Sequence, residues 1–435
     1  MMKFFRKIHL WLSVPFGIII TLVCFSGAML IFEPEITRSV QKNVYYVSST
    51  EGEPLPMGEL METVKASLPD SVSITGVTVF KDQDRTYQVN LSKPRRSSIF
   101  IDQYTGEITG KYERLGFFST MFKLHRWLLD SANPHGDGVK VGKLLVGIST
   151  IIFVIALITG VIIWFPRAKK GLGKSLSISF KKGMPGFWKG LHVAGGMYAL
   201  ILVLAMALTG LTYSFSWYRT AFYAVCGVEH TPRNFGQAAP SNGEGEKGDR
   251  KGEGRGNRGE RGEGEGRGNR GERGDHDWNH EERGNREFHG DAQQNGDVAF
   301  SGEFRGEGRR RSEFGRWQQV YTELKAQNPD APQITIGKET ASVTISEVGN
   351  GRASNKYEFN RRSGEITPSA LYKDAKEADK LRGWIYAIHT GSLGGIITRI
   401  LWLLGALLGA SLPLTGYYIW IKHMVMKKNG KAMKH

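Results

Sequence analysis

The sequence predicts an α-helical integral membrane protein with four transmembrane helices in two repeats and two small exported α+β domains. Two observations carry this prediction. Four stretches contain no Asp, Lys or Arg, and each is long enough to cross a ~30 Å hydrocarbon core as a helix. Basic residues are concentrated outside them, at both termini and in the middle of the chain. The four stretches are residues 8–32, 144–165, 190–218 and 400–421.

The basic clusters predict the orientation. They precede the first span, fill the loop between the second and third spans, and follow the fourth span. Because such clusters stay in the cytoplasm, both termini are expected inside and the connections 33–115 and 219–382 outside. The formal net charge of +16 then follows from the topology, and no binding to nucleic acid is needed to explain it. A soluble enzyme and a wholly disordered chain are both excluded, because neither contains four such apolar stretches.

The chain divides into units in a regular order, because each half runs through a span, an exported domain, an amphipathic helix and a second span. The predicted units are the first span region (1–33), the first exported domain (34–114), an interfacial helix with the second span (115–166), a basic cytoplasmic loop (167–189), the third span (190–218), an exported connector (219–235), an insert (236–312), the second exported domain (313–372), an interfacial helix with the fourth span (373–422) and a basic cytoplasmic tail (423–435).

Both exported domains have the same predicted pattern of one helix followed by strands and a turn. In the first, the helix is 57–68, the strands are 74–80, 85–91 and 98–102, and the turn is 104–109. In the second, the helix is 316–326, the strands are 333–337, 341–348 and 355–359, and the turn is 363–367.

The insert 236–312 differs from the rest of the chain. It is rich in Gly, Arg and Glu and poor in aliphatic residues, a composition that cannot form a core, so it is predicted to be disordered. Its sequence RGNRGERG occurs at 255–262 and again at 267–274. Arg-Gly repeats bind RNA in some proteins. Here the exported position and the balancing acidic residues favour a solvated linker.

Four histidines occupy matching places in the two halves. His9 and His192 open the first and third spans, and a Ser-Gly or Thr-Gly pair follows each after 17 residues. His125 and His389 precede the second and fourth spans, which both end in Thr-Gly and a Trp. Because odd spans run outward and even spans inward, His9 and His192 are expected near the inner face, and the other two near the outer face.

Two opposed neutral imidazoles in a helical bundle form the axial ligand set of a six-coordinate b-type haem. A single histidine at a membrane boundary is more often an interfacial polar residue. The repetition favours ligands, so we predict two haem b groups, one between His9 and His192 and one between His125 and His389, with these residues binding the iron.

Small residues are predicted at the level of each pair. At ~1.5 Å per residue, 17 helical residues rise about 25 Å. Gly27 and Gly210 should therefore reach the outer pair, and Gly160 and Gly416 the inner pair. They would either leave space for a flat macrocycle or only allow the helices to cross closely.

Short motifs add a family resemblance. They are DQYTGE at 102–107, LHRW at 124–127, TGVIIWFPR at 159–167, GLH at 190–192 and IHTG at 388–391. With these motifs the chain resembles the PepSY-associated transmembrane proteins, also known as iron-regulated membrane proteins. The resemblance implies PepSY-like exported domains, a place in the inner membrane with these domains in the periplasm, and haem-dependent reduction of ferric siderophores there. It implies His9, His125, His192 and His389 as the haem ligands.

Three functions remain open from the sequence. The favoured one is electron transfer across the membrane to a ferric siderophore or similar iron chelate. The external donor would be a quinol or a flavoprotein, since the chain has no Rossmann fingerprint and no CxxC pair. The second is a PepSY-type membrane-anchored binding or protease-regulatory protein without a cofactor. The third, a transporter, is disfavoured because no span carries charge in mid-membrane.

Overall fold

The computed structural model describes residues 1–94, 97–130, 141–181, 183–229, 313–345 and 349–432. The insert 236–312, with its predicted disorder, lies outside these residues, as do 230–235 of the predicted connector.

Four helices of the described chain are long and apolar enough to cross a membrane: Met2–Leu30, Val141–Lys170, Gly183–Ser214 and Ser392–Met426. This confirms the predicted class, a multi-pass helical membrane protein. Each helix begins before the uncharged stretch that predicted it, and the second and fourth also end after it, because a helix continues to satisfy its own backbone hydrogen bonds after it leaves the apolar region.

The helices of the described residues are α1 (Met2–Leu30), α2 (Glu33–Val40), α3 (Lys42–Tyr45), α4 (Met57–Ala66), α5 (Gly116–Trp127), α6 (Val141–Lys170), α7 (Leu172–Ser175), α8 (Gly183–Gly190), α9 (Gly196–Ser214), α10 (Ser216–Val225), α11 (Trp317–Gln327), α12 (Glu377–Thr390) and α13 (Gly395–Ala432). A π-helical turn, Leu191–Gly195, joins α8 to α9 and makes them one continuous span.

The spanning helices form a bundle. Helix α1 packs against α6 and α13, and α9 packs against the same two helices. Their contact is made by buried side chains that include Ile20, Leu157 and Val203. On the outside of the bundle Ile18 and Ile201 are exposed, as expected for side chains in contact with lipid.

The strands form one antiparallel sheet in the order β4-β3-β2-β1-β5-β6-β7-β8. They are β1 (Ile74–Phe80), β2 (Tyr87–Leu91), β3 (Ser98–Ile101), β4 (Ile108–Lys111), β5 (Gln333–Gly337), β6 (Thr340–Thr344), β7 (Ser354–Phe359) and β8 (Ile366–Ala370). Strands β4 and β8 lie where the sequence predicted turns to end, so each turn is shorter than expected and leads into a further strand.

The two predicted exported domains are not separate in the structure. Strand β1 pairs with β5, with Val77 opposite Ile336, so the strands of both halves share one sheet. One hydrophobic core includes Leu60 of α4 and Val320 of α11. Pairing at this junction satisfies two edge strands that would otherwise expose unpaired N–H and C=O groups. Local patterns cannot predict it, because the insert separates the two strand sets in the sequence.

Two ion pairs connect the segment after α1 to other parts of the chain. Glu33 accepts two hydrogen bonds from Arg114, at 2.6 and 2.7 Å. Glu35 is paired with Arg399 near the start of α13, with Arg399 Nη2 2.8 Å from Oε2 of Glu35. Partial burial raises the pKa of Glu35, but the hydrogen bond and charge of Arg399, helped by Arg38, outweigh this and hold the pKa below its ordinary value of 4.5.

Candidate functional site

The four predicted histidines meet in two pairs. The ring centres of His9 and His192 are 6.2 Å apart, and those of His125 and His389 are 6.1 Å apart. His9 comes from α1 and His192 from the π-helical turn, whereas His125 comes from α5 and His389 from α12. The structure thus brings together the residues that the sequence paired.

Each histidine is oriented by a backbone carbonyl on a neighbouring helix. A carbonyl oxygen only accepts, so each Nδ1 carries the proton and each Nε2 keeps a free lone pair, which is the form that binds a metal. Backbone hydrogen bonds of this kind fix the ring and raise its basicity as a ligand. The Nδ1 atoms donate from His9 to Ala156 (3.1 Å), from His125 to Val23 (2.8 Å), from His192 to Leu412 (3.1 Å) and from His389 to Met206 (3.0 Å).

A hydroxyl lies beside three of these contacts. The Oγ1 atom of Thr159 is 3.0 Å from Nδ1 of His9, that of Thr415 is 2.9 Å from His192, and that of Thr209 is 3.2 Å from His389. At the fourth place the hydroxyl of Ser26 donates to Val23, the same carbonyl that accepts from His125. The Ser-Gly and Thr-Gly pairs singled out in the sequence are therefore the segments that receive the histidines.

The glycine of each pair lies against a histidine ring. A Cβ atom would be 2.8 Å from Cε1 of His125 at Gly27, 3.0 Å from that of His389 at Gly210, 3.4 Å from that of His192 at Gly416, and 3.6 Å from that of His9 at Gly160. The predicted levels of the four glycines are confirmed. Their small size makes room for the histidine rings themselves. The sequence had suggested only space for a macrocycle or close crossing of helices.

The pairs fit the axial ligands of a haem. A bond from a metal to an imidazole nitrogen is ~2 Å and the ring centre lies ~1 Å further back, so two imidazoles on one iron have centres ~6 Å apart. Both pairs have this spacing. Within the part of the chain that the structure describes, no group of three or more His, Cys, Asp or Glu is placed to hold a metal ion. A macrocycle would supply the other ligands of an iron bound at either pair.

A buried indole near the His9–His192 pair is also consistent with a bound haem. The Nε1 atom of Trp164 on α6 is buried and has no hydrogen-bond partner among the described residues. Trp164 follows Gly160, the glycine that contacts His9, by one helical turn. A buried N–H normally finds an acceptor, and a carboxylate of a haem bound between His9 and His192 would supply one.

The electrostatics of the second pair favour neutral rings. His125 and His389 lie on α5 and α12, outside the four spanning helices. Burial lowers the pKa of His125. Burial, with a further contribution from His125, lowers the pKa of His389 to about 4. Both side chains are thus neutral near pH 7, as ligands must be.

Two features of the site were not among the predictions from the sequence. The π-helical turn at His192 is one, although such turns are frequent at functional sites. Tyr213 is another, because its ring centre lies 5.6 Å from that of His389. Its place one turn after Gly210, on the face that contacts His389, could have indicated this once the level of Gly210 was known.

Comparison with known proteins gives the family. The family model described as PepSY-associated TM region matches residues 6–423, so the chain belongs to this family. The resemblance read from the short motifs is confirmed. No curated protein is similar enough to the chain to count as a match.

Proposed function

We propose that this member of the PepSY-associated TM family binds two haem b groups and carries electrons across the inner membrane to a ferric siderophore or similar chelate in the periplasm. The observation that supports this best is the pair of matched histidine sites, each with ring centres about 6 Å apart and Nδ1 bonded to a backbone carbonyl. His9 and His192 hold the haem near the cytoplasm, and His125 and His389 hold the other.

The cofactor supplies one-electron chemistry, because its iron alternates between Fe(III) and Fe(II). A quinol or flavoprotein on the cytoplasmic side is oxidised, and each electron that it loses reduces one Fe(III) of a chelate to Fe(II). Siderophore oxygens are hard ligands that prefer Fe(III), so the reduction weakens the complex and releases the iron.

The chain itself holds and spaces the two sites. Its backbone carbonyls fix the tautomer and direction of every ligating ring. The 17 residues of α1 between His9 and Ser26 rise about 25 Å, so the sites lie at different depths in the bundle. A haem held near each face by these histidines would divide the apolar barrier into two shorter distances for an electron.

The absorbance spectrum of the purified full chain tests the proposal. Protein produced with ample haem should show a Soret band, and dithionite should sharpen its α and β bands. The matched control is His423→Ala, which changes an exposed histidine outside both pairs and should keep the full haem content. A colourless wild-type preparation would refute the proposal and favour the alternative, a membrane-anchored binding or protease-regulatory protein without a cofactor.

A further inference from the structure

Residues 349–353 of the loop between β6 and β7 lie against α12, the helix that carries His389. Asn350 in this loop is 1 % exposed, and a Cβ atom at Gly383 of α12 would lie 2.4 Å from its side-chain amide. Its Nδ2 donates to the Tyr372 hydroxyl at 2.8 Å, and its Oδ1 accepts from the backbone N–H of Arg352 at 3.1 Å. The loop therefore places Arg352 in a defined position beside α12.

The Arg352 guanidinium lies over an aromatic ring and has no anionic partner in the described chain. Its Cζ is 3.4 Å from the ring centre of Tyr386, which precedes His389 by three residues on α12. Both Arg352 and Tyr386 are exposed. A guanidinium stacked in this way keeps its N–H edge free, and that edge matches a planar carboxylate.

Positive charge is concentrated on this side of the His125–His389 pair. The guanidinium groups of Arg352 and Arg126 both interact electrostatically with the phenol of Tyr213. The Tyr213 ring in turn lies 5.6 Å from that of His389. Arg352 thus stacks on Tyr386 at the exposed surface of α12, and Tyr213 lies against His389, which follows Tyr386 by one helical turn on the same helix.

We infer that Arg352, with Tyr386 and Tyr213, forms a carboxylate-binding site at the mouth of the His125–His389 pair. Two sources of carboxylate fit the position. One is a propionate of the haem bound by this pair, and the other is a carboxylate of an incoming ferric chelate. The inference rests on the proposed function and deepens it, because it names residues that bind either the haem or the ferric chelate that the haem reduces.

The test compares Arg352→Gln with wild type in the full chain, prepared with haem. The matched control is Arg362→Gln, since Arg362 is an exposed arginine in the turn after β7 of the same sheet. Three quantities are measured: haem per chain, the midpoint potential of each haem without substrate, and KM for ferric citrate and for a neutral ferric tris-hydroxamate. The haem content of wild type and of Arg362→Gln reports folding and the proposed function without any change at Arg352.

The two sources give different results. If the chelate binds, KM for ferric citrate rises roughly tenfold in Arg352→Gln, while KM for the neutral chelate stays unchanged. If a propionate binds, the potential of one haem falls, because the lost positive charge had favoured the reduced state, and both KM values stay unchanged. Arg352→Lys keeps the charge and should restore the potential, but it should not restore KM because the planar fork is absent.

The outcomes that overturn the inference are separate from those that overturn the function. Haem-loaded Arg352→Gln that matches Arg362→Gln in all potentials and KM values would show that no carboxylate binds at Arg352. Wild-type protein without haem would refute the proposed function itself.

Discussion

The four glycines beside the histidines allow a graded test of the site, because the space for a methyl group differs at each. A Cβ atom would lie 2.8 Å from a histidine ring at Gly27, 3.0 Å at Gly210, 3.4 Å at Gly416 and 3.6 Å at Gly160. Replacing each in turn by Ala should therefore disturb the ring most at Gly27 and least at Gly160.

The size of the effect follows from the contacts. To reach the clearance found at Gly160, the His125 ring beside Gly27 must move by about 0.8 Å. Gly27 and the Val23 carbonyl are on the same helix, so movement away from α1 also breaks the 2.8 Å hydrogen bond from Nδ1. Overpacking of this kind destabilises by about 1–3 kcal/mol, and the lost hydrogen bond adds about 1 kcal/mol. Gly160→Ala has an ordinary contact and improves helix propensity by up to about 1 kcal/mol.

Two measurements check the series. Thermal unfolding in detergent should rank Gly27→Ala as the least stable and Gly160→Ala as close to wild type. A pyridine-haemochrome assay should show Gly27→Ala losing haem from the His125–His389 site alone, and therefore falling from two haems per chain towards one. Equal behaviour of the two variants, or greater loss in Gly160→Ala, would contradict the contact geometry from which the ranking was worked out.

Two further predictions concern the ligands and an ion pair. Haem content, measured by pyridine haemochrome, should fall towards one per chain in His9→Ala and no further when His192→Ala is added. His9→Ala with His389→Ala should leave none, because this combination affects both sites. Unchanged haem in the single variants would remove the assignment of the histidines as ligands. Arg399→Gln should lower the unfolding temperature at pH 7, because it removes the partner that keeps Glu35 ionised. The difference from wild type should shrink as pH falls below 4.5, since the lowered pKa of Glu35 adds stability only while the carboxylate is charged. Thermal unfolding across pH measures this, and a difference independent of pH would argue against the pair.

Membrane spans are predictable from this sequence because lipid imposes a local rule. Every N–H and C=O group in the hydrocarbon must be satisfied within its own helix, so an uncharged stretch of sufficient length is itself a sign of a span. His9 and Ser26 are 17 residues apart, as are His192 and Thr209, and the fixed rise of a helix converts this spacing into a distance along the bundle. For this reason the levels of the histidines and glycines were correct before any contact was known.

Contacts between elements could not be derived in this way. The pairing of β1 with β5, which joins two predicted domains in one sheet, depends on edges that only the folded strands present. The Nδ1 bonds to carbonyls such as Val23 and Ala156 depend on how the helices cross. The stacking of Arg352 on Tyr386 depends on where the sheet meets α12. The sequence by itself determined the spans and the level of each histidine along the helices, because helical periodicity is local. Only the tertiary structure decided which atoms meet at that level, because packing joins residues that are distant in the chain.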